Sequence, residues 1–554
     1  MLIGIMVSFD VKISITSHIS TEFSIIHLKE LNLGNNYFSE IPQSIFSLHN
    51  LKVLSFSNLL KGKSNNTIKF IPDEICSLEN LENLDLYENP IENIPREIVS
   101  SGVDAIKNFI RSKKEADNEE FLYEAKMVVV GRGDVGKTVL TKKLTIPDYS
   151  LTHSETTQGI NILKNPFNLP MTGLQGSESF KFNIWDFGGQ EKYDTTHQLF
   201  ITSRSVYLFL TEARDESNYQ DVFYWLNTIN LLSHDSPVIV VLSKIDERQK
   251  KLPESVYKNQ FGNIVKFVDV SCANRYEHTI EGLKDAIKDA VMLLPQTKIS
   301  FSNHWIEVRK ELENLSQQKD YIDYYDYLSI CEKNKLDKER ANFLSEFLND
   351  LGVIIHHQND LLLKKTVFIN TDWCVDGMYK VFDDKNVSQN NGKFSNADLK
   401  KIWEEDKRFE SKQAELIKLM LDYNLCFELS DESGFIAPDL LPPDRPEILQ
   451  WTLESALLFE YKYEFMPAGM LSRFIVKSHS FIKDNLFWKY GTVLTYDNTE
   501  ALVEEDYINR KIKISLKGEN KKGLLSAIRM FIEEIHRNLD KSKKLVFEEM
   551  IPCK

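Results

Sequence analysis

The chain has 554 residues, 42% of them hydrophobic and 27% charged, and a net charge of −15 at pH 7. That length predicts roughly three to five domains, each with enough chain to bury a core. A surface this acidic repels phosphate backbones, so no nucleic-acid partner is expected, and no apolar run approaches the roughly 20 residues that span a bilayer.

The N-terminal run Met1 to Phe9 is apolar, but no basic stretch precedes it and no small-residue cleavage site follows, which argues against a signal peptide. Cys76, Cys272, Cys331, Cys374, Cys426 and Cys553 are scattered without a CxxC pair. They form neither a zinc signature nor a disulfide framework, and a reducing, cytoplasmic setting is expected.

From Leu28 the chain repeats itself: LKELNLGNN, then LKVLSFSNL from Leu51, then LENLDLYEN from Leu81. The first and third units follow the leucine-rich-repeat spacing, in which leucines point into a stacked core and Asn36 and Asn89 bond the backbone at the turn. The middle unit departs from it, with Phe56 in a leucine position and Leu59 in the asparagine position. The longer second interval implies an insertion, placed most simply at Lys61 to Thr67. Residues 1 to 27 are expected to cap this short solenoid. Its short-strand face, with Lys29, Glu30, Asn32, Lys52, Glu82, Asn83 and Asp85, is the candidate surface for an unknown protein partner.

Val103 to Lys114 reads as an amphipathic helix with Val103, Ile106, Phe109 and Ile110 on one face, followed by a charged hinge. It is expected to couple the repeats to the domain after it. That domain, residues 119–297, alternates apolar strands (Met127–Val130, Phe180–Trp185, Ser205–Leu210, Val238–Leu242, Val265–Val270) with helical stretches (Val139–Leu144, Val222–Leu232, Gly282–Leu294). The alternation predicts a doubly wound α/β sheet with ligand loops at the carboxyl ends of the strands.

The first strand runs into Gly131-Arg-Gly-Asp-Val-Gly136-Lys137-Thr138, a P-loop. Gly131, Gly133, Asp134, Val135, Gly136 and Val139 supply backbone around an anion, Lys137 reaches the β/γ-phosphates, and the Thr138 hydroxyl can ligate Mg²⁺. In Thr156-Thr157-Gln158-Gly159, spacing to Gly159 favours Thr157 as a second contact to Mg²⁺ and the γ-phosphate. Asp186-Phe187-Gly188-Gly189-Gln190 ends a strand: Asp186 can hold the cation through water, Gly189 can offer its N–H, and Gln190 can orient an attacking water. Kinases also use Asp-Phe-Gly for magnesium, but no His-Arg-Asp loop precedes it here.

Ser243-Lys244-Ile245-Asp246 matches the guanine-reading pattern except at its first position. A carboxylate at Asp246 pairs with two guanine donors that adenine lacks, and the Lys244 stem covers the ring, which favours GTP or GDP over adenine nucleotides. Ser243 shortens a side chain that usually braces this region. Ser271-Cys272-Ala273 follows the last strand as a further base contact.

The segment DFGGQEKYDTTHQLFITSRSVYLFL, Asp186 to Leu210, resembles the Roc GTPase of the Roco family. Residues after 297 resemble that family's COR (C-terminal of Roc) domain at Leu351-Gly-Val-Ile354, Val367 to Tyr379, Phe435 to Pro442, Phe465-Met-Pro-Ala-Gly469, Trp488 to Gly491 and Ile512 to Gly518. No kinase sequence follows, as in shorter, bacterial-type members. The expected architecture is therefore multidomain: repeats with cap at 1–100, linker helix and hinge at 101–118, Roc at 119–297, and COR in two halves. The first half, 298–450, is helical and winged-helix-like, with helices His304–Leu315, Arg340–Leu351 and Ala414–Leu425 and hairpins near Ile354–Leu363 and Cys426–Ile436. The second, 451–554, is α+β. Trp305, Trp373, Trp451 and Trp488 are expected in the core.

The resemblance implies a GTP-hydrolysing switch in intracellular signalling, with Lys137, Thr157 and Gln190 catalytic, Thr138, Thr157 and Asp186 around Mg²⁺, and a homodimer through COR. Arg204 and Arg214 are the candidates for an arginine supplied in trans. The alternative is a non-hydrolysing, GTP-dependent scaffold with the repeats as its binding module.

Overall fold

The computed structural model describes residues 28–58, 65–114, 118–146, 149, 157, 159–171, 174, 179–189, 194–202, 204–212, 218–233, 235–247, 251–429, 431–540 and 544–552. The expected cap at 1–27, Thr156, Gln190, Arg214 and Cys553 lie outside them.

In the repeats, Glu30–Asn32, Val53–Ser55 and Asn83–Asp85 pair as parallel strands in sequence order. Leu51, Leu54, Phe56, Leu81, Leu84 and Leu86 are buried beneath them. Asn36 donates to the Leu33 and Gly34 carbonyls, and Asn89 to those of Phe56 and Leu86. The middle unit is framed differently from the expectation. Asn66 stands in the asparagine position, donating to the Leu33 and Phe56 carbonyls at 3.0 and 2.9 Å and accepting from Phe38 N–H. The insertion thus falls between Asn58 and Asn66, not at Lys61 to Thr67. The Asn58 side chain closes its base, accepting from Asn66 N–H and donating to Asn66 O. A buried backbone polar group without a partner is costly, so the ladder position goes to whichever asparagine can reach both neighbouring carbonyls.

The helix Val103–Lys114 buries Val103, Ile106, Phe109 and Ile110 as its periodicity requires. Its partner differs from the expected one. Phe109 packs edge-on against Phe301 and Trp305, with ring centroids 6.1 and 5.7 Å away, so the helix joins the repeats to the helical region beyond residue 299. One continuous core runs from Ile41 through Ile110 and then from Ile299 to Ile369. The intervening P-loop domain leaves this body and returns to it through a two-stranded neck, Glu119–Phe121 antiparallel to Ser300–Ser302.

That domain is a six-stranded sheet in the order Ile264–Asp269, Val238–Ser243, Ser205–Glu212, Glu124–Val130, Ser179–Phe187, Ile160–Pro170. All neighbours are parallel except the last strand, which is antiparallel at the edge. Sequence reading missed that edge strand because Pro166, Pro170 and three asparagines interrupt its apolar residues. At an edge a proline removes no ladder bond, and Pro166 falls within a register shift between Leu163 and Phe167. Helices Lys137–Thr145, Asn218–Leu232, Glu254–Gln260 and Glu277–Val291 cover the sheet.

Beyond the neck, one element order occurs twice. Helix Asn303–Ser316, strand Tyr321–Asp323, helices Tyr324–Lys333 and Lys338–Asp350 and strand Thr366–Phe368 form the first unit. Helix Thr371–Asp383, strand Lys393–Phe394, helices Asn396–Glu404 and Gln413–Asp422 and the hairpin Phe427–Glu428 with Phe435–Ile436 form the second. The hairpin expected near Ile354–Leu363 is instead a long-range pairing: Thr366–Phe368 adds to Tyr321–Asp323, and Ile355 bridges Phe368.

The last region is a six-stranded antiparallel sheet, Leu457–Tyr463 to Phe547–Met550, with helices Met470–Ser478 and Lys521–Leu539 packed on it. Trp305, Trp373 and Trp488 are buried as expected, whereas Trp451 is half-buried and donates to Ser515 Oγ. A second large core unites one face of the P-loop sheet with the second helical unit and the C-terminal sheet. Among the described residues no helix is long and apolar enough to cross a membrane.

Candidate nucleotide-binding site

The central strand Glu124–Val130 is buried at every position, and its carboxyl end delivers the chain into the glycine-rich turn. Gly131 has φ 141°, and a Cβ there would overlap the Leu210 carbonyl, so the turn against the neighbouring strand requires glycine. Gly136, at φ 93°, opens the helix Lys137–Thr145, which places that helix's free N–H groups beside Gly133, Asp134 and Val135. Lys137 Nζ donates to Gly131 O at 2.7 Å and to Arg132 O, curled back over the turn its ammonium would serve.

Three loops meet beside this turn. Thr138 Oγ1 and Thr157 Oγ1 are 2.6 Å apart, and Thr157 Oγ1 donates to Asp186 Oδ2 at 3.4 Å. Asp186 Oδ1 is buried with no hydrogen-bond partner among the described residues. Burial pushes the Asp186 carboxyl up to about 6, against the opposing influence of Thr138 and Lys137. Two hydroxyls converging on a half-satisfied buried carboxylate form an all-oxygen donor set that fits a hard divalent cation. Gly188 N–H donates to Gly159 O at 2.7 Å. A Cβ on Gly189 would strike the Gly133 backbone, so the loop after Asp186 lies directly on the P-loop.

The base-side residues also converge. Ser243 Oγ donates to Val135 O at 2.7 Å and lies 3.3 Å from Thr211 O, so the shortened side chain still braces the P-loop. Lys244 Nζ donates to Asp134 O and pairs with Glu212 at 2.8 Å. Ser271 Oγ donates to Asp246 Oδ1 at 2.6 Å while accepting from Ala273 N–H at 3.1 Å, which fixes the carboxylate's direction. Cys272 is half-buried, and burial pushes its thiol up to about 11, so it is not a thiolate at neutral pH.

Four family models match in succession. They are leucine rich repeat over residues 26–91, Ras of Complex (Roc, domain of DAPkinase) over 126–246, and C-terminal of Roc, COR-A over 302–441 and COR-B over 454–554. A solved structure, Methanosarcina barkeri Roco2 RocCORdC bound to GDP, is 32% identical, covering 59% of this chain and 98% of that one at a TM-score of 0.50. The chain belongs to the Roco family. A Roc-COR-CHAT protease from Runella zeae is 31% identical over 510 residues, 86% of this chain and 53% of that protein. The probable serine/threonine-protein kinase pats1 of Dictyostelium discoideum is 27% identical over 519 residues, 86% of this chain and 16% of that protein. The chain thus spans about half the length of the first of these relatives and less of the second. Its Roc–COR module is related to nucleotide-binding Roco proteins.

Within Roc, Arg204 is unsuited to act in trans. It is 4% exposed, precedes the amino end of the strand Ser205–Glu212, and lays its guanidinium 5.5 Å from the ring centroid of Phe347 in COR-A. Arg214, the other candidate, lies outside the described residues, as does Gln190.

Sequence reasoning missed several residues at the site. Glu212 partners Lys244, and Thr279 Oγ1 accepts from Ser271 N–H. Arg132 in the P-loop pairs with Asp221 on the helix Asn218–Leu232 at 2.9 Å. The His197 ring is buried beside the Gly159 backbone. His197 and Arg132 had a sequence signal, their places within the Asp186 to Leu210 segment and the P-loop.

Proposed function

We propose that the chain binds GTP with Mg²⁺ and hydrolyses it to GDP and phosphate, as a switch whose Roc–COR unit changes with the nucleotide. The observation that carries this reading is the meeting of Thr138, Thr157 and the half-satisfied Asp186 carboxylate beside Lys137. Thr138, Thr157 and Asp186 would hold the magnesium ion, which supplies charge neutralisation at the phosphates. Lys137, which donates to the Gly131 and Arg132 carbonyls, is positioned to exchange them for phosphate oxygens. Asp246, aimed by Ser271, reads the guanine N1–H and amine, and Lys244 covers the ring. The M. barkeri structure with GDP supports the choice of base.

Gln190 is assigned to orient the attacking water, because it follows Gly189 on the loop that lies against Gly133. Positioning and fixed charge are what phosphoryl transfer asks of a protein. The COR-B sheet is proposed as the homodimer surface. The exposed repeat-face residues Lys29, Glu30, Asn32, Lys52, Glu82 and Asn83 are proposed to take a protein partner.

Single-turnover phosphate release tests hydrolysis: the wild-type chain is expected to release phosphate faster than Lys137→Ala, and Gln190→Ala to fall between them. Release no faster than Lys137→Ala would leave only the scaffold reading. Asp246→Asn is expected to move preference from GTP to xanthosine triphosphate, and an unchanged preference would reject Asp246 as the base reader.

A further inference from the structure

Gly159 sits two residues after Thr157 and is held from three sides. Its carbonyl accepts from Gly188 N–H at 2.7 Å, and the buried His197 ring lies beside its backbone. Its open face is covered by COR-A: a Cβ built on Gly159 would lie 2.9 Å from two ring carbons of Tyr379. With φ +63° as well, the position is closed to any larger residue both by conformation and by contact.

Tyr379 is 5% exposed, on a helix that cannot easily yield. That helix, Thr371–Asp383, is seated by Trp373, whose indole donates to Arg408 O, and by Trp403, whose indole donates to Gly377 O, each at 2.9 Å. Phe409 and Leu416 close on Gly377 so tightly that a Cβ there would lie within 3.1 Å of both. On the other side, His197 is fully enclosed, its ring 4.6 Å from that of Phe187, and burial holds it neutral, down to about 3. Gly159 is therefore clamped between a rigid COR-A aromatic and the helix that follows the Asp186 loop. In this arrangement Thr157 touches Thr138 and Asp186.

We infer that Tyr379 makes COR-A a built-in effector of the Roc nucleotide site: by packing on Gly159 it favours the arrangement that brings Thr157 onto the cation site, and so favours nucleotides that carry a γ-phosphate. This rests on the GTP reading above and adds its regulation. A contact can shift such an equilibrium only by binding one arrangement better than the other, and the effect is reciprocal. A γ-phosphate that draws Thr157 inward must in turn strengthen the hold of Roc on the COR-A helix.

The test uses the full chain with Mg²⁺ and fluorescent GDP and a non-hydrolysable GTP analogue, and reads the ratio of the two Kd values. Tyr379→Ala is expected to lower the preference for the GTP analogue over GDP by about fivefold or more, while Tyr379→Phe, which keeps the ring, should stay within about twofold of wild type. Gly159→Ala, which drives a methyl into the ring, is expected to lower the preference in the same direction and serves where Tyr379→Ala does not fold. Ratios matching wild type in both Tyr379→Ala and Gly159→Ala, or a raised preference for the analogue, would overturn the coupling. Wild-type protein that takes up neither nucleotide would overturn the GTP reading itself, a result distinct from an unchanged ratio.

Discussion

Two bodies of this molecule are built from alternating stretches of the chain. The first combines the repeats with the first COR-A unit around the helix Val103–Lys114. The second combines one face of the Roc sheet with the second COR-A unit and COR-B. The first contains none of the nucleotide-site residues, and its core is sealed by Phe109, Phe301, Trp305 and Phe347. The second adjoins the candidate nucleotide site through Val130, Ile160 and Phe187, and carries glycines pressed against aromatic rings. The chain passes between them at the neck, and the neck is reinforced by a buried ion pair, Glu124 with Arg309 at 2.6 Å. Domain order in sequence is therefore not packing order, and the candidate nucleotide site lies outside the core that carries the repeats.

Breaking the first body should have the largest effect. Phe109→Ala removes the ring that ties repeats to COR-A, and is expected to destabilise that body by about 3–5 kcal/mol. Hydrogen exchange should show the repeats and residues 303–350 losing protection together, while Lys137–Thr145 keeps its own. Independent loss of protection would mean that the two segments do not share one core.

The junction comes next. Arg309→Ala leaves Glu124 buried without its cation, and is expected to cost about 3 kcal/mol in chemical denaturation. Replacing both, Arg309→Met with Glu124→Leu, should recover most of that loss, because the penalty lies in the uncompensated charge and not in the pair itself.

Within the second body, Glu505 is half-buried and accepts from Leu471 N–H at 3.1 Å. Burial, opposed by that N–H and aided by Asp439, pushes its carboxyl up to about 7 from an ordinary 4.5. The folded state then binds more protons than the unfolded state between about pH 4.5 and 7, so its contribution to stability falls as pH rises through that window. Glu505→Gln should abolish this slope and raise stability at pH 8 by about 2 kcal/mol. His536, bonded to Tyr463 Oη at 2.9 Å, gives the opposite sign. Burial lowers it to about 4, so its contribution to stability grows as pH rises from about 4 to about 6.5. Thermal melts of Glu505→Gln and His536→Phe across pH 4–8 separate the two slopes. The smallest effect is expected on the repeat face, where Lys52→Ala breaks an exposed pair with Glu82 and should change stability by less than about 0.5 kcal/mol.

The sequence by itself determined the site's parts. A glycine-rich turn after an apolar strand, a threonine before Gly159, Asp186 at a strand end and Asp246 after another are local patterns, and each follows from strand periodicity and backbone freedom over a few residues. It determined the repeat core for the same reason. It did not determine which asparagine completes the ladder, since Asn58, Asn65 and Asn66 are equivalent until two neighbouring strands offer their carbonyls. Nor did it determine the edge strand Ile160–Pro170, whose prolines are tolerated only because no further strand pairs beyond it. Only the tertiary structure decided that Val103–Lys114 packs on COR-A, that Arg204 is buried against Phe347, and that Tyr379 covers Gly159. Each of these joins residues scores to hundreds of positions apart through shape and burial, and one-dimensional spacing carries no trace of such contacts.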